Sequence, residues 1–135
     1  MSYLFGNAKT SIDENGRLSL PALFRNAIAE NIRDKLFLTL GHDGSIYGYP
    51  LDEWEKIIER NRLKDYDDPE VRFRMRQMAT NFDVVKIDKQ GRVYLPARLL
   101  KEVGIQKEVL ILGTIDKMEF WNPDTYRTYN EKNQN

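Results

Sequence analysis

Two arginines stand at matched places in this chain, and their chemistry is the first thing its residues offer. Arg17 closes Asp13-Glu14-Asn15-Gly16-Arg17 and is followed by Leu18-Ser19-Leu20-Pro21-Ala22; Arg92 closes Asp88-Lys89-Gln90-Gly91-Arg92 and is followed by Val93-Tyr94-Leu95-Pro96-Ala97, 75 residues further on. A guanidinium is a planar fork of hydrogen-bond donors that fits the major-groove edge of guanine or a phosphate, where a lysine would act only as a point charge. Catalytic chemistry has little to work with. The chain has no cysteine, and its only histidine, His42, sits in a Gly41-His42-Asp43-Gly44 loop. Thiolate chemistry, disulfides and cysteine metal sites are therefore excluded, and neither a metal site nor a cofactor site is expected. Close carboxylates such as Asp67 and Asp68 have no histidine, nucleophile or Gly-rich phosphate loop beside them, so no enzyme is expected.

The elements that must hold these arginines follow from the repeat. Alternating polarity over Thr10 to Asp13 and Arg17 to Leu20, and over Val85 to Asp88 and Arg92 to Leu95, predicts two hairpins. Asp at the first turn position and Gly three later predict a type I turn capped by the carboxylate, with Gly16 and Gly91 at positive φ. Asp13 and Asp88 are accordingly read as turn caps, not ligands or catalytic acids. Leu18, Leu20, Val93 and Leu95 point to the core, which sends Arg17 and Arg92 outward. Ion pairing with the Asp of each turn, worth ~0 to 1 kcal/mol when exposed, is too weak to account for arginine in both copies.

Each repeat reads as strand, turn, strand, helix, strand, strand, helix, an α+β and mainly β organisation. The expected divisions are a first repeat over 7–53, a helical connector over 54–81 and a second repeat over 82–125. Pro21 and Pro96 suit the first turn of a helix, Ala22 and Ala97 allow close packing there, and Gly104 suits the end of the second. Asp52 or a neighbour is expected to cap a helix through Trp54, Ile57, Ile58 and Asn61; Asp68-Pro69 opens another with Val71, Met75, Met78 and Phe82 on one stripe. Arg72, Arg74 and Arg76 are read as a solvated face, and Trp54, Trp121 and Tyr126 as helix-to-sheet packing. Asn130 to Asn135 reads as disordered.

Composition bounds the partners. With 21 basic and 21 acidic side chains the chain is neutral, yet residues 1–68 carry 9 basic and 12 acidic groups and residues 69–135 carry 12 and 9. Attraction to phosphate must come from local clustering. No apolar run approaches membrane-spanning length and no signal-peptide pattern opens the chain, so a soluble cytoplasmic protein is expected.

Over nearly its whole length the chain resembles the MraZ family, on Phe5-Gly6-Asn7, both Asp-x-x-x-Arg motifs, Tyr49-Pro50-Leu51-x-x-Trp54 and Arg72-x-x-x-Arg76. The resemblance implies two fused swapped-hairpin half-units of AbrB/MazE type (AbrB-like, double-split) forming a β-barrel covered by helices. It also implies a nucleoid-associated bacterial transcription regulator. Such a protein assembles into a ring and binds short repeated boxes of double-stranded DNA ahead of the division and cell-wall gene cluster. Arg17 and Arg92 would then be DNA-contacting groups. Lys9 and Lys86, on the strands entering the turns, are candidate phosphate contacts, and Arg25, in the helix after Pro21, is a third. Leu100 stands where the second copy would need Arg25, with Arg98 or Lys101 as substitutes, so the halves need not bind equally. The competing interpretation is an antitoxin-like module that binds DNA and a toxin.

Overall fold

In the computed structural model, which describes residues 3–134, the chain is α+β and mainly β. Its eight strands are β1 (Leu4–Ser11), β2 (Arg17–Ser19), β3 (Lys35–Leu40), β4 (Ile46–Tyr49), β5 (Asp83–Lys86), β6 (Arg92–Tyr94), β7 (Glu108–Ile115) and β8 (Met118–Trp121). Helices are α1 (Ala22–Arg25), α2 (Leu51–Arg62), α3 (Pro69–Thr80), α4 (Ala97–Glu102) and α5 (Pro123–Asn133). Six strands form one antiparallel sheet in the order β1-β7-β8-β4-β3-β5, and β2 pairs with β6 in a second.

The repeats interlock. Strand β1 of the first lies along β7 of the second, and β5 of the second lies along β3 of the first. Turn hydrogen bonds join β1 to β2 and an Ile87–Val93 bridge joins β5 to β6, so the β2–β6 pair spans the two edges of the large sheet. That closure is made at the hairpin ends, where the edges of the large sheet turn into the β2–β6 pair. Inside it, alternation delivers Leu4, Ile12, Leu18, Leu20, Val93 and Leu95 to one core shared by both repeats, with Phe24 and Leu99 of the short helices fully buried among them.

A second apolar cluster fastens the helical connector. Tyr47 and Tyr49 leave β4 on the side away from the barrel and meet Trp54 and Ile57 of α2. Trp54 stacks on Phe82 at 5.0 Å between ring centroids and on Phe37 at 6.2 Å. Trp121 plays the matching part in the second repeat, against Tyr126 and Tyr129 of α5. Aromatic pairs of this geometry add specificity to the area they bury.

Several local expectations are met and others corrected. Asp68 caps α3 by accepting the Glu70 amide at 2.9 Å, and Gly104 follows α4 at φ +72. Asp52 caps nothing: Pro50 occupies the cap of α2, and the Asp52 carboxylate accepts only the adjacent Glu53 amide. Pro21 and Pro96 are likewise at the cap position, one place before the first helical turn, where each carbonyl accepts two helical amides. Ala22 and Ala97 are exposed, and the residues that the two short helices bury are Phe24 and Leu99. Asn130 to Asn133 continue α5, anchored by its Asn122 cap and by the Trp121 contacts; Asn135 lies outside the described residues. Val71, Met75, Met78 and Phe82 are half-buried, and α3 buries no residue completely.

Candidate nucleic-acid interface

Each turn is built by its aspartate. Gly16 N–H donates to the Asp13 carbonyl at 3.0 Å, Asp13 N–H donates to the Arg17 carbonyl at 2.9 Å, and Asp13 Oδ1 accepts the amides of Asn15 and Arg17, both at 2.9 Å. The second turn repeats this set, with Asp88 Oδ1 accepting from Gln90 and Arg92 at 2.9 Å. Gly16 and Gly91 take φ +83 and +79, a region costly for residues bearing a Cβ. The backbone amides of Arg17 and Arg92, aided by their guanidinium groups, hold the two carboxyls below the usual carboxylate value.

The halves then meet at these turns. In the β2–β6 register Arg17 faces Tyr94, Leu18 faces Val93 and Ser19 faces Arg92. Because side chains alternate across a strand, Arg17, Ser19, Tyr94 and Arg92 share the outer face while Leu18 and Val93 share the inner one. Leu20 N–H donates to the Gly91 carbonyl at 2.9 Å and Leu95 N–H to the Gly16 carbonyl at 2.7 Å, a reciprocal lock about a pseudo-two-fold axis. The arginine side chains remain 43% and 42% exposed, so both are accessible to a ligand. They are not equally tethered: Arg92 Nε lies 2.9 Å from Asp88, Arg17 Nε 3.5 Å from Asp13. A shallow cleft of about 540 Å³ runs between them, bordered by Ser11, Asp13 and Ser19.

The remaining expected contacts are dispersed. Lys86 is exposed two residues before Asp88 and directly opposite Lys35 of β3. Lys9 is exposed on β1 but borders a different cleft, with Lys107, Asn122 and Arg127. Arg25 crosses to the other repeat: a Cβ placed on Gly91 would lie 2.6 Å from Arg25 Nε. That Nε is buried without a hydrogen-bond partner among the described residues. Sequence reasoning overlooked Ser19 and Tyr94, which the same alternation that exposes Arg17 and Arg92 sends outward, and Lys35, which no local signal connects to the second turn.

Elsewhere, a groove of about 850 Å³ between α2, α3 and the sheet is lined by Tyr47, Tyr49, Trp54, Met75 and Met78. Burial raises the Tyr49 hydroxyl pKa, keeping it protonated. His42 packs edge-on to Tyr47 at 5.9 Å. Arg72 ties the preceding loop by donating to the carbonyls of Tyr66 and Asp67, and Arg74 pairs with Glu70 at 2.9 Å. Among the described residues no three His, Asp or Glu groups gather as a metal site, and no helix is long and apolar enough to cross a membrane.

Interlocked duplicate hairpins in a helix-covered sheet are the architecture of an AbrB-like protein. A family model described as "MraZ protein, putative antitoxin-like" matches residues 4–75 and 78–135. The chain is 35% identical to transcriptional regulator MraZ of Syntrophomonas wolfei over 129 residues, covering 96% of this chain and 87% of that protein. It is 34% identical to the Rhodococcus jostii protein of the same name over 129 residues, with the same coverage of 96% and 87%, and 31% identical to that of Acetivibrio thermocellus over 125 residues, or 93% and 85%. The chain belongs to the MraZ family. It is a transcriptional regulator and not an enzyme.

Proposed function

We propose that the chain binds double-stranded DNA through the outer face of the β2–β6 pair, with Arg17 and Arg92 reading base edges. The observation that carries this reading is the β2–β6 register, which brings both arginines onto one exposed face across a diagonal of about 7–8 Å. Each leaves a capped turn whose backbone is already fixed, so little main-chain freedom remains to be lost on binding. Lys86 lies about 7 Å along the strand from Asp88 and reaches adjoining phosphates, while Lys9, about 13 Å from Asp13, reaches flanking ones. Arg25 acts from behind, positioning the second turn. The protein works in the cytoplasm, at the nucleoid.

A neutral protomer with two arginine positions binds weakly by itself. A ring of protomers on short direct repeats, upstream of the division and cell-wall gene cluster, gains affinity through effective concentration. Gel shifts with the region just upstream of the gene, carrying one, two or three boxes, test this. Affinity should climb steeply with box number and fall when one box is moved by ~5 base pairs to the opposite DNA face. Equal affinity for all probes, or a monomeric mass by light scattering, returns the antitoxin-like interpretation that the family description names.

A further inference from the structure

We infer that the two hairpins are unequal partners for DNA, the second being the one that grips phosphate, through Lys35, Lys86 and Lys89. This rests on the DNA-binding reading above and assigns work within it. The pseudo-two-fold equivalence lets the hairpins be compared place by place. Two positions before the turn aspartate stand Ser11 and Lys86; directly across from these stand Glu108 and Lys35; at the position after the aspartate stand Glu14 and Lys89. All six are exposed. The turn pairs Asp13–Arg17 and Asp88–Arg92 cancel internally. What is left is two negative charges around the first hairpin and three positive charges around the second. One position before Glu108 and Lys35, on the alternate side of the strands, Lys107 and Asp34 act the other way. Including them, the balance is still one negative charge against two positive.

The fold itself does not call for this arrangement. Like charges directly opposite on neighbouring strands destabilise a sheet, and Lys35 faces Lys86 with neither in an ion pair among the described residues. A phosphate between the two ammonium groups turns that repulsion into attraction, with release of counterions from DNA. At the first hairpin Glu14 and Glu108 repel the backbone close to the turn, so Arg17 approaches a base edge with phosphate support only from the more distant Lys9. The site is composite: Lys35 comes from the first repeat, Lys86 and Lys89 from the second.

Fluorescence anisotropy with the upstream fragment and with a random-sequence duplex, at about 50 to 200 mM salt, tests the inequality. Lys35→Gln/Lys86→Gln/Lys89→Gln should weaken binding to both duplexes by about tenfold or more and flatten the logarithmic salt dependence by up to about 3. The mirror variant Glu14→Gln/Glu108→Gln should stay within about threefold of the wild type. Lys35→Gln alone should keep or raise Tm while weakening binding, an outcome that a structural role for Lys35 would reverse. Wild-type affinity and salt slope in the triple variant, or a mirror variant that gains as much as the triple variant loses, overturns the inequality while the DNA-binding reading stands. Absence of binding by the wild-type chain to either duplex overturns both.

Discussion

Arg25 of the first repeat lies across Gly91, the turn glycine of the second, with its Nε sealed from solvent and unpartnered among the described residues. The first repeat thus supplies part of the wall behind the second arginine turn. No equivalent arginine backs the first turn, since Leu100 stands at that place and packs against the core. The space above Gly16 is instead bounded by the Leu95 carbonyl and the Tyr94 ring.

Gly16→Val should be at least as damaging as Gly91→Val. Both place a β-branched residue at positive φ, a strain of about 1–3 kcal/mol. At Gly91 the new Cβ meets the Arg25 side chain, which can swing aside, whereas at Gly16 it meets the Leu95 backbone carbonyl at 2.9 Å, which cannot move without shifting the chain. Thermal denaturation of the two variants gives the order; a clearly lower Tm for Gly91→Val would show that Arg25 is held fast.

Arg17→Ala and Arg92→Ala should each lower specific DNA affinity by roughly 1–3 kcal/mol while leaving circular dichroism and Tm unchanged. The exposed ion pairs lost with them contribute little to folding. A double variant that binds as the wild type does would remove the arginines from the interface.

The turn carboxylates set a pH limit. Asp13 and Asp88 are held below their ordinary value of 3.8 by the hydrogen bonds they accept in the folded chain. Their contribution is thus complete above that value and disappears as pH falls through the lower folded values. NMR titration of the Gly16 and Gly91 amides should give midpoints under 3.8. Midpoints at or above it would mean that the caps are open in solution.

Trp54→Ala should cost about 3–5 kcal/mol, as for other buried aromatic truncations, and should loosen α2 and α3 from the sheet before the barrel melts. Hydrogen exchange would detect this as faster exchange confined to Leu51–Thr80. A uniform increase across the barrel strands would place Trp54 in the main core.

Cutting the chain in the Lys64–Asp68 loop should leave neither half a folded monomer, because β1 needs β7 and β5 needs β3. Each half alone should be unfolded or self-paired, and an equimolar mixture should regain the spectrum of the intact chain. A folded, monomeric half in sedimentation analysis would contradict the interlocked topology.

What could be read from residues alone was local. The Asp cap and the glycine three places on determine the turns through contacts within five residues, and alternation determines which way Arg17 and Arg92 leave the strand. Pairing partners were not legible this way, since nothing near Arg17 indicates that Tyr94 will lie opposite. Strand β1 extends back to Leu4, well before the alternation noted at Thr10, because eight consecutive residues find partners on β7. The helical state of Asn130 to Asn133 depends likewise on Tyr126 and Tyr129 docking on Trp121, a contact between the end of β8 and the helix that follows it, which polar composition at the tail does not reveal.

The register that pairs Leu4 with Ile115 also bears on how the protein is made. Strand β1 leaves the ribosome before the other strands described, and its partner β7 leaves after all of them but β8. At about 5–20 residues per second, that partner arrives roughly 5–20 s later. Until then Phe5 and the unpaired edge of β1 stay open to other nascent chains. Wherever ribosomes follow closely on one message, that waiting strand has neighbours with the same unmet β7, and a chaperone or a swapped partner can reach it before its own chain does.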